Sequence, residues 1–136
     1  MLKALVLDYG GVLTDPGEDN PPEPPLLTAL REVKRKGFKT ALLSNADGWW
    51  NPPAAFAGLF DAAVMSGEVG LAKPDVAIYR LVAAKLDLEP GECVFVDDLA
   101  VNIRGAVEAG MVGVHHRTVR STLEELEILL EIALRH

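Results

Sequence analysis

A chain of 136 residues, 49% hydrophobic and 24% charged, has room for one folded domain. It is too short for an eightfold βα barrel and too apolar for a disordered polymer. A formal net charge of −7 and a pI near 4.9 exclude a general nucleic-acid binder, which needs clustered Lys and Arg. They leave a phosphorylated small molecule open as a substrate, because a bound metal ion reverses the local field. The single Cys93 has no partner for an internal disulfide and lies in an apolar run, the setting of a small buried side chain. No stretch approaches the ~20 apolar residues that span a bilayer. The apolar start, Met1 to Leu7, ends at Asp8, too early for a signal peptide, so a soluble cytoplasmic protein is expected.

In chain order, Leu2 to Leu7 reads as a buried parallel strand broken by Gly10 and Gly11. Asp15 to Pro25, with five prolines and four acids, admits no regular element and forms a flap. Leu26 to Lys36 carries a helical leucine stripe closed by Gly37. Lys39 to Leu43 is a second strand ending at Ser44 and Asn45. Asp47 to Leu59 is a weaker helix with Pro52 and Pro53 in its first turn. Ala62 to Met65 is a third strand, Pro74 to Lys85 a helix, and Cys93 to Val96 a fourth strand ending at Asp97 and Asp98. Val101 to Ala109 is a helix stopped by Gly110, Met111 to Val114 a fifth strand, and Thr122 to Leu130 and beyond a last amphipathic helix. Alternating strands and helices with right-handed crossovers give an α/β fold: a three-layer, doubly wound, five-stranded parallel sheet in a single domain, residues 1–136.

Asp8, Ser44, Asn45, Ser66, Asp97 and Asp98 all fall at the carboxyl ends of predicted strands, the edge where open α/β sheets bind ligands. Asp8, Asp97 and Asp98 meet if the first and fourth strands are neighbours. Three carboxylates that close repel one another unless a cation lies between them, and hard oxygen ligands suit Mg²⁺. The plainer account is that Asp97 or Asp98 caps the following helix. Lys73, just ahead of a helix, either neutralises a nucleophilic carboxylate and a phosphoryl group or is a solvated loop lysine. Ser44 and Asn45 offer an anion cradle. His115 and His116 have no partners at zinc-ligand spacing and read as loop residues. Trp49 and Trp50 either line a pocket or pack beneath the flap. In the last helix Leu123, Leu126, Leu130 and Ala133 form a packing stripe, and Ile128, Leu129 and Ile132 widen it enough to suggest a homodimer.

Together these residues resemble the haloacid dehalogenase-like hydrolase superfamily, over essentially the whole chain. LVLDYGGVLTD (Leu5 to Asp15) is similar to its first motif, which implies Asp8 as nucleophile. LLSNA (Leu42 to Ala46) is similar to the second, with Ser44 as phosphate-binding hydroxyl and Asn45 beside it. SGEVGLAKPDVAIY (Ser66 to Tyr79) resembles the branch containing phosphatases and haloacid dehalogenases, with Lys73 as the motif lysine. FVDDLAVNIRGA (Phe95 to Ala106) resembles the fourth motif, with Asp97 and Asp98 as metal-site acids and Asn102 in support.

The chain departs from the family pattern twice. The residue two beyond the nucleophile, usually an aspartate acting as general acid and base in the family's phosphatases, is Gly10, which keeps a carbonyl for the metal but offers no proton. The interval before Ser44 is too short for a four-helix cap. The resemblance therefore implies an Mg²⁺-dependent phosphatase working through an aspartyl-phosphate on a small phosphorylated substrate, with an open site and slow or leaving-group-selective turnover. A haloacid dehalogenase needs no leaving-group acid, so it is the alternative. A metal- and phosphate-binding regulatory protein without turnover is another. A signalling receiver domain is excluded by order, since its paired acids follow the first strand.

Overall fold

The computed structural model describes residues 1–46 and 53–134. Five short strands, β1 (Ala4–Leu7), β2 (Lys39–Ser44), β3 (Ala62–Met65), β4 (Cys93–Asp97) and β5 (Val112–His115), pair in parallel in the order β3-β2-β1-β4-β5. Apolar runs too continuous for a half-solvated sheet demand cover on both faces, and the strand residues alternate between two cores. Leu5 and Leu7, Leu42, Val94 and Val96 face one core with helices α1 (Pro25–Arg35) and α5 (Val119–Leu130). Ala4 and Val6, Ala41 and Leu43, Cys93 and Phe95 face the other, under α3 (Val76–Lys85) and α4 (Ala100–Glu108). The doubly wound three-layer sheet expected from the sequence is the fold observed. No helix among the described residues is long and apolar enough to cross a membrane.

Element boundaries move by a few residues. β1 starts at Ala4 and β5 runs on to His115. A one-turn helix, α2 (Ser66–Val69), follows β3. The helix expected over 47–59 is not formed in its described part, where Pro53 leads into a single 3₁₀ turn at Ala54–Phe56. The residues 47–52, including Trp49 and Trp50, lie outside the described residues.

The last helix begins at Val119, where the Thr118 side chain accepts the Ser121 N–H, and it ends at Leu130 because Glu131 turns left-handed at φ 55°. Ala133 therefore does not continue the leucine stripe, and Leu134 is buried instead. Leu123, Leu126 and Leu130 cover their own sheet, with Leu129 and Ile132 packed against the same core. Of the large apolar side chains on that helix, only Ile128 is strongly exposed. Residues 15–24 form no regular element, as the prolines dictate. Glu23 there accepts from Thr28 Oγ1 at 2.7 Å and Arg31 Nε at 3.0 Å, tying the flap to α1.

At the amino edge Asp61 accepts from the Thr40 N–H at 2.8 Å and meets Lys34 at 3.0 Å. Partial burial works to raise this carboxyl, but the Thr40 bond and Lys34 outweigh it and hold it below the usual range. A carboxyl lowered in the folded state adds stability above its unfolded pKa of about 4 and loses it as pH falls through the folded value. Asp61→Asn should accordingly be less stable than the parent at pH 7. In urea melts the gap should close below about pH 4; a gap independent of pH would contradict this role for the charge.

Candidate functional site

β1 pairs with β2 through Leu7↔Leu42 and with β4 through Leu7↔Val96. One residue further along, this register sets Asp8 between Leu43 and Asp97, and the Asp8 N–H still donates to Val96 O at 3.1 Å. Into this gap reaches Lys73, 5% exposed, from the loop before α3. Its Nζ donates to Asp8 Oδ1 at 2.8 Å, Asp97 Oδ2 at 2.9 Å and Leu43 O at 3.1 Å. All three ammonium protons thus end on the tips of three adjacent strands, and Lys73 is no solvated loop lysine.

Asp97 is fully buried. Its Oδ2 also accepts from Asn102 Nδ2 at 3.0 Å, and its Oδ1 accepts from the Leu99 N–H at 3.0 Å. Burial works to raise the Asp97 carboxyl, but Lys73 beside it and the two other donors hold it below the usual carboxylate range. Asp8 goes the other way. Burial, aided by the nearby Asp97 charge, overrides Lys73 and pushes its carboxyl up to about 6. Asp98 is also raised, first by partial burial and then by its bond to Asp97. These three acids offer carboxylate oxygens within 4.8 Å of one another. Asp8 and Asp98 have the freer oxygens, since Asp97 already accepts three bonds. A hard dication fits such an all-oxygen set.

The turn after β1 makes room for this cluster. At Gly11, φ is 82°, and a Cβ there would collide with the Asp98 carboxylate. A side chain is excluded twice over, by conformation and by space. Gly10 differs. Its φ of −68° and ψ of 128° are open to any residue, and a Cβ would meet no atom within 4 Å. Nothing in the backbone requires glycine at position 10.

Ser44, 7% exposed, closes β2 beside Lys73. Asn45 spends both polar atoms on the main chain of Lys73, accepting its N–H at Oδ1 (2.9 Å) and donating to its O from Nδ2 (3.1 Å). The sequence reading did not foresee this use of Asn45, nor three other supports. Tyr79 OH donates to Asn102 O at 2.7 Å from inside the apolar face of α3, where a phenol must find a partner. Gly105 lets α4 approach the Pro74 carbonyl, which a Cβ would strike; a glycine inside a helix, costly in propensity, was its only signal. His116, in the loop between β5 and α5, is buried and bonded to Asp15 Oδ2 at 2.8 Å and to Thr122 Oγ1 at 2.7 Å, so it anchors the start of the flap to α5. The same bond occupies Asp15.

Removing the ammonium would leave two carboxylates buried against each other. Lys73→Met should cost about 3–5 kcal/mol at pH 7, the range for an uncompensated buried charge. The loss should narrow as pH falls and Asp8 takes up a proton. Chemical denaturation of the metal-free protein from pH 5 to 8 tests both; a loss under 1 kcal/mol would show that the pair is not the constraint described.

The sequence profile of the haloacid dehalogenase-like hydrolases matches residues 17–110. The chain is 35% identical over 114 residues to bifunctional epoxide hydrolase 2 of Sus scrofa, aligning 76% of itself to about a fifth of that protein (20%). It is 35% identical over 88 residues to a phosphatase of Mycobacterium tuberculosis, covering 61% of this chain and 41% of that one. Against (S)-2-haloacid dehalogenase 1 of a Pseudomonas species it is 33% identical over 87 residues, 61% of this chain and 38% of the other. Among solved structures, an uncharacterized protein from Corynebacterium glutamicum superimposes with a TM-score of 0.84 at 32% identity over 100% of both chains. A magnesium complex of a family enzyme from Bacteroides thetaiotaomicron gives 0.56 at 25% identity, over 68% of this chain and 51% of that one. With the fold, the strand-end cluster and the profile in agreement, the chain belongs to the haloacid dehalogenase-like hydrolases.

Proposed function

We propose that this hydrolase is an Mg²⁺-dependent phosphatase that acts on a small phosphorylated substrate through an aspartyl-phosphate at Asp8. The observation that carries the reading is the meeting of Asp8, Asp97 and Asp98 at the carboxyl edge of the sheet, where a buried ammonium pairs with Asp8 and Asp97. Lys73 grips Asp8 Oδ1 and so fixes the orientation of the carboxylate that attacks phosphorus in line. A bond forms from Asp8 oxygen to phosphorus as the bond to the leaving oxygen breaks. Water then cleaves the acyl phosphate and restores Asp8. Asp8, Asp98 and the Gly10 carbonyl would hold Mg²⁺, with Asp97 behind them, and the ion would supply positive charge to the phosphoryl oxygens. Ser44 donates to the phosphoryl group, and Asn102 keeps Asp97 turned toward Lys73. The magnesium-bound relative and the phosphatase relative support this assignment.

The leaving oxygen has no acid at position 10, so its proton comes from solvent. The test is turnover of a phosphoester panel with and without Mg²⁺, with Asp8→Asn as control and a fluorometallate to trap the adduct. Mg²⁺-dependent release of phosphate that Asp8→Asn abolishes is expected. Turnover of a 2-haloacid in the presence of a chelator would reverse the assignment in favour of dehalogenation, which needs no metal. Binding of Mg²⁺ and phosphate with no turnover of any ester would mark a regulatory protein.

Gly10→Asp fits the observed backbone and fills open space. It should raise activity on alkyl phosphates by ~10²-fold, because an alkoxide leaves poorly without a proton. p-Nitrophenyl phosphate should gain far less. Equal loss on both substrates together with a lowered melting temperature would instead mean that the turn cannot carry a side chain.

A further inference from the structure

Lys73 lies in a loop, yet its ammonium is aimed at three fixed acceptors. A lysine has four rotatable side-chain bonds, so that aim needs a main chain held in place. Two contacts hold it. On one side Asn45 embraces the peptide groups of Lys73, its carboxamide matching an N–H and a carbonyl as a neighbouring strand would, at 2.9 and 3.1 Å. On the other side Gly105 of α4 lies against the Pro74 carbonyl and ring, closer than any side chain permits. Asp75 then caps α3 by accepting the Ala77 N–H. Asn45 also follows Ser44 directly, so one residue links the hydroxyl at the end of β2 to the lysine that faces Asp8.

We propose that Asn45 is a positioning residue that delivers the Lys73 ammonium to Asp8 and Asp97, and not a ligand of the substrate. Both polar atoms of its side chain are already committed to Lys73, although the residue is exposed at the site. The consequence for turnover rests on the phosphatase reading; the consequence for the lysine does not. With the clamp gone, Lys73 is misplaced by a fraction of an ångström to an ångström, and errors of that size cost up to ~10²-fold in rate. Ground-state binding of phosphate, held by other groups, stays nearly constant.

The experiment uses the full chain with Asn45→Ala, which loses both bonds, and Asn45→Asp, which keeps the acceptor for the Lys73 N–H. For p-nitrophenyl phosphate with Mg²⁺, kcat should fall by about tenfold or more in Asn45→Ala. KM and inhibition by inorganic phosphate should move by less than about threefold, and Asn45→Asp should lie between parent and Asn45→Ala. In a Lys73→Met background Asn45→Ala should cost little further rate, whereas its effect on stability persists because the main-chain bonds remain.

A second readout needs no turnover. The buried, triply bonded ammonium of Lys73 should give an observable nitrogen-detected resonance in the parent that broadens or shifts in Asn45→Ala. Weakened phosphate binding with kcat retained would overturn the proposal and make Asn45 a substrate ligand. Rate losses that add fully with Lys73→Met, or an unmoved ammonium signal, would overturn it as well. If the parent turns over no phosphoester, the phosphatase reading fails while the ammonium signal still decides the clamp.

Discussion

The arrangement depends on one buried ammonium. Lys73 satisfies three acceptors at the ends of three adjacent strands of the sheet, β2, β1 and β4, and among the described residues no other cation pairs with both Asp8 and Asp97. A cation with so little exposure survives only with every proton bonded and its counter-charges in contact. Those counter-charges in turn exist at that spot only because parallel register puts the residue after Leu7 beside the residue after Val96. Packing therefore comes first: two apolar cores fix the register, the register fixes the acids, and the acids fix the lysine.

Much of this was legible in the sequence, for physical reasons. Continuous apolar runs such as Ala4 to Leu7 cannot be half-solvated, so strands covered on both faces followed from composition alone. Polar residues terminating those runs marked the carboxyl edge, and Asp8, Ser44, Asp97 and Asp98 all lie there. What was not legible was the second partner of each polar group. Asn45 looked like a ligand because its type and place suit an anion; only three dimensions show its amide turned to a lysine 28 residues later. His116 is a loop residue, as expected, but its anchoring role was hidden because its partner Asp15 is 101 positions away. The extent of α5 was misjudged for a local reason, since Thr118 starts the helix a turn before its first buried leucine and the left-handed Glu131 ends it.

The two glycines that follow Tyr9 are alike in sequence and unlike in structure. Read as a pair, Gly10 and Gly11 suggest one flexible turn. In the structure they differ, because Gly11 is obligatory, through its positive φ and its contact with Asp98, whereas Gly10 has an ordinary conformation and empty space over it. A glycine that the backbone does not require reflects either drift or chemistry. Open space directly over the β1 turn is also where a substrate would sit if Asp8 is the nucleophile. The missing side chain then enlarges the site by the volume of a carboxyl group, besides withholding a proton.

Charge arithmetic supplies the remaining constraint. Three carboxylates and one ammonium leave two formal negative charges at the sheet edge when all are ionised. Burial first, with Asp97 adding to it, favours protonation of Asp8 and Asp98, while the better-bonded Asp97 is held below the usual carboxylate range. A protonated Asp8 is a poor nucleophile, and a phosphoryl dianion approaching the unprotonated cluster would meet repulsion. A single divalent cation would remove both obstacles, cancelling the two charges and competing with the protons for the same oxygens. On the proposed reading, then, the metal and the nucleophile are not separate requirements. The burial that orients Asp8 beside Lys73 also makes the carboxylate reluctant to ionise, and the same ion that binds phosphate would restore it.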